Sequence, residues 1–69
     1  MKLKSNIGEQ IKVSGYKNTF IADQLDVNIN TLSRWIHGKS MPSVVKLFEL
    51  AKLLNCKVDD LYYWSDEDK

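Results

Sequence analysis

Residues 18–38 read Asn-Thr-Phe-Ile-Ala-Asp-Gln-Leu-Asp-Val-Asn-Ile-Asn-Thr-Leu-Ser-Arg-Trp-Ile-His-Gly. Two short helices joined by a tight turn fit this stretch. Ile21 and Leu25 stand four apart with the small Ala22 beside them, the spacing of one helical face. Asp26-Val27-Asn28 then interrupts the pattern, and Asp is among the few non-glycine types that tolerate the positive φ a sharp helix-to-helix turn needs. Asn28 is a good N-cap for a second helix over residues 29–37, and Gly38 is a good stop. Ile21, Leu25, Val27, Leu32 and Trp35 can then meet on one side, leaving Ile29, Asn30, Ser33, Arg34 and His37 on the outward face. A short helix with such a hydrogen-bonding face suits the major groove of DNA.

Outward from this pair, three more helices are expected. Residues 5–14 carry Ile7 and Ile11 on one face, Asn6 and Glu9 spaced as a capping box, and Gly15 as a stop. Lys39 to Pro42 form a loop. Ser43 caps a helix reaching about residue 54, whose apolar residues Val44, Leu47, Phe48, Leu50, Ala51, Leu53 and Leu54 cover so wide an arc that it should be the most buried. Asn55 closes it. A last helix over residues 58–63 has Asp59 and Asp60 near its N-terminus, where negative charge is favourable. No period-two alternation runs over a useful length, so no strand is expected. The fold class is all-α: five helices in one domain spanning residues 1–69, with its core at about 5–62 and an acidic tail at 65–69.

The bulk numbers narrow the function. Sixty-nine residues make one small domain, which leaves regulation to other proteins, concentration or degradation. One cysteine, Cys56, and one histidine, His37, cannot build a disulfide framework or a metal cluster. No signal peptide or spanning segment is visible, which predicts a cytoplasmic protein. Net charge is only +1, but it is unevenly distributed. Residues 1–58 hold nine bases against four acids, and residues 59–69 hold one base against five acids. A basic body with an acidic end can meet phosphate through one face.

These pieces together resemble the lambda-repressor-like helix-turn-helix fold, in its phage repressor and Cro-type branch. The resemblance is carried by Ile21-Ala22-Asp23-Gln24-Leu25, by the run from Val27 to Trp35, and by Gly38-Lys39 with Pro42-Ser43. Leu50 to Cys56 and Val58-Asp59-Asp60-Leu61 complete it, so it covers about residues 5–62. Three departures stand out. Asp26 occupies a turn position that is usually glycine. Lys17-Asn18 replaces the usual Ser or Thr then Gln. Ile36 falls where a charged residue is common, which predicts an exposed apolar group.

By position, the resemblance implies that Ile29, Asn30 and Arg34 read base edges, with Ser33 beside them. The chemistry agrees: Arg pairs with guanine O6 and N7, Asn with adenine N6 and N7, and an apolar side chain with the thymine methyl. Backbone contacts are expected from Lys17, Asn18, Asn28, His37, Lys39, Ser40, Ser43 and Lys46. Lys2, Lys52 and Lys57 read as solvated surface charges. Trp35 shares the phase of Leu32 and belongs to the core rather than to a stacking platform. Cys56 reads as a buried, inert thiol.

Leu61, Tyr62, Tyr63 and Trp64 end the last helix with more aromatic surface than so small a core can absorb, and aromatics are enriched at interfaces. They are expected to form a homodimer contact, at least on DNA. The reading is thus a sequence-specific transcriptional regulator of Cro or repressor type, from a phage or mobile element, with a double-stranded operator as partner. No catalytic residue, cofactor, metal, membrane or small-molecule ligand is expected. The alternative is an antitoxin-type module that holds a toxin and regulates its own promoter.

Overall fold

A computed structural model describes residues 1–66. The chain runs β1 (Lys2–Ser5), α1 (Ile7–Ser14), α2 (Asn18–Gln24), α3 (Ile29–Ile36), α4 (Val44–Leu53), α5 (Val58–Leu61) and β2 (Tyr62–Ser65). The five expected helices are present, with ends moved inward by one or two residues. The two strands were not expected. They pair antiparallel, Lys2 opposite Ser65 and Ser5 opposite Tyr62, so the fold is mainly helical with a small two-stranded sheet rather than all-α. Lys-Leu-Lys alternates and Tyr-Tyr-Trp favours a pleated surface, but each signal is only four residues long. The pairing that makes them strands joins the two ends of the chain.

This sheet also corrects the last helix. It stops at Leu61, and Tyr62 is already extended at φ −141°, ψ 152°. The expected acidic tail is divided: Ser65 belongs to β2, while Glu67, Asp68 and Lys69 lie outside the described residues.

Ile7, Ile21, Leu32, Leu50 and Leu61 are completely enclosed, one from each helix, with Ile11, Ala22, Leu25, Trp35 and Ala51 nearly so. Each short helix therefore gives its innermost position to one shared core, and fully burying such a side chain contributes roughly 1.5–3 kcal/mol. Gly8 lets α1 lie close on α3, since a Cβ there would stand 3.0 Å from Ile36 Cγ2. Ile36 is accordingly half-buried against the core, not the exposed apolar group its position implied.

Two other expectations change. Asn6 makes no side-chain cap on α1. Its backbone amide instead donates to the Leu61 carbonyl at 2.8 Å and its side-chain amide to the Asp60 carbonyl at 3.1 Å, so the residue ties α1 to the end of α5. Helix α4 is not the most buried. Leu50 and Ala51 are enclosed, but Val44, Val45 and Phe48 are 71%, 67% and 60% exposed. The apolar arc of α4 is wider than the one face that four other short helices can cover.

Three helices end alike. Asp26, Gly38 and Asn55 take φ of 56°, 74° and 55°. The next residue's amide then reaches back to a carbonyl of the last turn: Val27 to Ala22 at 3.0 Å, Lys39 to Arg34 at 2.8 Å and Cys56 to Ala51 at 2.9 Å. This closure satisfies carbonyls that a helix end otherwise leaves open. Asp26 thus does the work of the usual glycine, and it fixes the angle at which α3 leaves α2.

Candidate nucleic-acid interface

Helix α3 begins at a working N-cap. The Asn28 side chain accepts from the Asn30 amide at 2.7 Å. Leu32 and Trp35 point into the core, which fixes the helix rotation. At 3.6 residues per turn, Ile29, Ser33, His37, Asn30 and Arg34 fall in that order around an outward arc of roughly 140°. Ile29 is 41% exposed, Asn30, Arg34 and His37 are exposed, and Ser33 is half-buried. The structure therefore brings the expected base-reading residues together on one solvent-facing surface. Thr31 is half-buried behind it.

His37 is oriented. Its Nδ1 lies 2.8 Å from the Ser33 carbonyl and 3.4 Å from the Ser33 hydroxyl. A carbonyl only accepts, so Nδ1 carries the proton in this arrangement and Nε2 is the nitrogen left for an outside partner.

The expected backbone contacts divide into three groups. Lys17, Asn18 and Lys39 are exposed; Lys17 is the N-cap residue of α2 without capping it by side chain. Asn28 and Ser43 use their oxygens as helix caps, Ser43 accepting from the Lys46 amide at 3.2 Å. Each still has a donor to offer, the Asn28 amide nitrogen and the Ser43 hydroxyl hydrogen. Ser40 is half-buried, its backbone amide turned toward the Arg34 carbonyl at 3.4 Å. Lys46 also has partners within the chain. Its ammonium donates to the Leu25 carbonyl at 2.6 Å and lies 3.4 Å from Glu49. It closes the C-terminal end of α2 while its side chain remains 33% exposed.

The aromatic end is rearranged as well. Leu61 is enclosed in the core, so it has no surface to give a partner. Extended backbone then sends alternate side chains to opposite faces. Tyr62 packs against the core. Trp64 shares its face and pairs across the sheet with Leu3, while Tyr63 lies on the other face opposite Lys4. The three aromatics thus make two surfaces rather than one. Tyr63 and Trp64 are 50% and 66% exposed.

Cys56 is half-buried. Burial pushes its thiol up, and the Asp60 carboxylate adds to the shift, which leaves little reactive thiolate at neutral pH. Among the described residues no group of His, Cys, Asp and Glu is placed to hold a metal ion, and no helix is long and apolar enough to cross a membrane.

Sequence reasoning missed the N-terminal strand. Residues 2–5 of β1 border a cleft with Ile36, His37 and Gly38 at the end of α3 and with Tyr63. The signal available was the alternation Lys-Leu-Lys.

Comparison with known proteins follows the same geometry. A helix-turn-helix family matches residues 13–61. The crystal structure of a candidate DNA-binding protein from Bacteroides fragilis superposes with a TM-score of 0.84 at 31% identity, covering 90% of this chain and 100% of that one. A transcriptional regulator from Listeria innocua superposes with a TM-score of 0.70 at 27% identity, covering 94% of this chain and 69% of that one. No curated protein matches the sequence.

Proposed function

The chain belongs to the helix-turn-helix family, and from that premise we propose that it is a sequence-specific DNA-binding regulator of transcription that lays α3 in the major groove of an operator. The observation that carries this reading is the outward arc of Ile29, Asn30 and Arg34 on a helix whose opposite side is locked in the core. In this account Arg34 and Asn30 make the hydrogen-bonded base contacts, each good bidentate pair contributing roughly 1–3 kcal/mol of discrimination. Lys17, Asn18, Asn28, His37, Lys39, Ser40 and Ser43 hold the flanking phosphates and set the register. Lys46 supports the turn from within.

Repression by occupancy in the Cro manner is the mode proposed, in the cytoplasm of a bacterium or an infected host. A homodimer fits it, since two copies reading half-sites one helical turn apart, roughly 34–36 Å, match a palindromic operator. Trp64 and Leu3, adjacent on one face of the sheet, supply the proposed contact between copies.

Selection from a random duplex pool with the full chain, followed by sequencing of the bound DNA, tests the reading. Enrichment of a palindrome with two short half-sites supports both DNA reading and dimer. No enrichment over the starting pool contradicts it.

A second reading, an antitoxin-type module, has one observation in its favour. Val44, Val45 and Phe48 leave an apolar stripe on α4, and stripes of this kind mark interaction sites. Coexpression with the product of the neighbouring gene separates the two: a stable complex that blocks growth inhibition by that product supports the module.

A further inference from the structure

The two outer edges of the sheet are not alike. The Asn6 amide donates to the Leu61 carbonyl at 2.8 Å at the foot of the strand pair. In an antiparallel ladder such bonded pairs alternate with non-bonded ones, so Lys4–Tyr63 and Lys2–Ser65 are the next bonded pairs. The backbone N–H and C=O groups of Tyr62 and Trp64 therefore point away from β1. Among the described residues no other backbone segment takes them up. An open edge of this kind is a template for another strand. The edge of β1 is different. Residues 2–5 border the cleft against the end of α3, and lysines such as Lys2 and Lys4 are a usual means of blunting an edge. Tyr62, Tyr63 and Trp64 carry no charge that would blunt theirs. Resting on the homodimer reading above, we infer that β2 pairs edge to edge with β2 of a second copy, antiparallel about a two-fold axis at Tyr63, to close a four-stranded sheet.

The register follows from which backbone groups face outward. Centring the pair on Tyr63 sets Tyr62 opposite the partner's Trp64 and Trp64 opposite the partner's Tyr62. Those two pairs close four backbone hydrogen bonds, whereas centring on Tyr62 or on Trp64 closes two within the strand. Tyr63 then meets the partner's Tyr63 across the axis as a non-bonded pair, the closer kind. Side chains directly opposite share a face, so each of the three aromatics gains an aromatic neighbour, and such pairs contribute roughly 0.2–1 kcal/mol each. Leu3 stands behind Trp64 in the same cross-strand row. No charged residue lies in the joint, and the edge of β1 is turned to α3, so the assembly stops at two copies with closed two-fold symmetry. Tyr63 is half exposed and Trp64 two-thirds exposed. At 150–250 Å² per ring, two copies cover roughly 500 Å² of aromatic surface. A stable free dimer needs about 1,200 Å² or more, so the sheet forms where an operator already holds both copies.

Disulfide trapping tests the register. The full chain carries Cys56→Ala, so that an introduced thiol is the only one. Tyr63→Cys and Leu3→Cys are each mixed, under oxidised glutathione, with the palindromic duplex enriched by the selection above or with a duplex holding one half-site. A non-bonded antiparallel pair has its Cα atoms about 4.5 Å apart, within disulfide reach. Leu3 and the partner's Leu3 are at least three strand spacings apart, about 14 Å, and out of reach. Tyr63→Cys should give a covalent dimer on the palindrome on the order of tenfold faster than on the half-site duplex, and Leu3→Cys should give none. A second variant reads the same joint without oxidation. Tyr63→Glu faces Lys4 within its own chain but sets two carboxylates opposite each other across the axis. It should weaken binding to the palindrome by about tenfold and leave binding to one half-site within about twofold. The strand pairing is overturned if Leu3→Cys is trapped as readily as Tyr63→Cys, which marks stacked sheet faces instead. It is overturned if Tyr63→Cys stays monomeric on a palindrome that wild type fills with two copies. Tyr63→Glu binding the palindrome as wild type does would leave the edge to a strand of another protein, and overturns the pairing too. Enrichment of a single half-site bound by one wild-type copy would instead remove the homodimer beneath the proposal, and no enrichment at all would remove the DNA reading, two distinct results.

Discussion

The Ser5 hydroxyl donates to the Trp35 carbonyl at 2.8 Å, joining residues thirty positions apart. The same oxygen lies 3.4 Å from the Ile7 amide, which donates to it. One side chain thus ends β1, starts α1 and holds the last turn of α3. A partly buried hydrogen bond of this kind contributes roughly 1 kcal/mol. Ser5→Ala should lower the melting temperature by about 4–8 °C, the shift expected per kcal/mol for a domain this small. Thermal unfolding followed by circular dichroism measures it, and an unchanged midpoint would deny the strand its supporting role.

Asp26 holds φ at 56°, a conformation that costs an ordinary residue on the order of 1 kcal/mol and glycine almost nothing. Glycine loses more freedom on folding, so Asp26→Gly should gain only about 0.5 kcal/mol, the difference of the two effects. Asp26→Val places a β-branched side chain at the same φ and should lose more than about 1 kcal/mol. Urea midpoints for the two variants should therefore move in opposite directions. A gain for valine would remove the strained turn from the account.

Lys46→Met keeps the aliphatic stem and deletes the ammonium that donates to the Leu25 carbonyl. A hydrogen bond from a charged donor contributes about 1.5–3 kcal/mol, toward the low end for a side chain 33% exposed, while the neighbouring Glu49 pair is exposed and adds little. Stability should fall by about that amount, and the salt slope of DNA binding should not change. A reduced slope with unchanged stability would return Lys46 to the phosphate contacts.

Two groups shape the alkaline side of the pH dependence. Burial pushes the Tyr62 phenol up, with Ser5 acting weakly against it, and burial together with Asp60 pushes the Cys56 thiol up. Both favour the neutral form in the folded chain, so the unfolded chain loses its protons first. Their stabilising contribution is intact below the ordinary thiol and phenol ranges and is lost as pH rises through the raised values. Melting temperature should decline on the alkaline side, and Tyr62→Phe should flatten the upper part of that decline. In parallel, Cys56 should react with iodoacetamide more slowly than a free thiol at pH 8.

The sequence made the local part of this structure readable. Asn28 and Ser43 cap the helices they were expected to cap, and Asp26, Gly38 and Asn55 end the helices they were expected to end. Each depends on a side chain acting on backbone a few residues away. What stayed hidden depends on distant partners. The strands Lys2–Ser5 and Tyr62–Ser65 exist because they pair across the chain, and the roles of Tyr62, Tyr63 and Trp64 follow from that pairing. Lys46 looked like a surface cation because nothing local reveals that the Leu25 carbonyl lies above it. The apolar arc of α4 signalled burial, but the supply of covering helices cannot be read from α4 alone. At the candidate interface, the outward face of α3 was legible because Leu32 and Trp35 set its phase. The cleft beside it was not, because half of it comes from the far end of the chain.

The central claim is that Asn30 and Arg34 read bases from the exposed face of α3. The direct measurement is the affinity of the full chain for its own upstream DNA against random DNA, before and after Asn30→Ala with Arg34→Ala. Both side chains are exposed, so the double variant should melt within a few degrees of wild type. The account predicts that discrimination falls by roughly 2–6 kcal/mol, two bidentate pairs lost together, leaving only salt-dependent binding common to both DNAs. A folded double variant that keeps its preference for the upstream DNA would contradict the assignment of α3 as the reading helix.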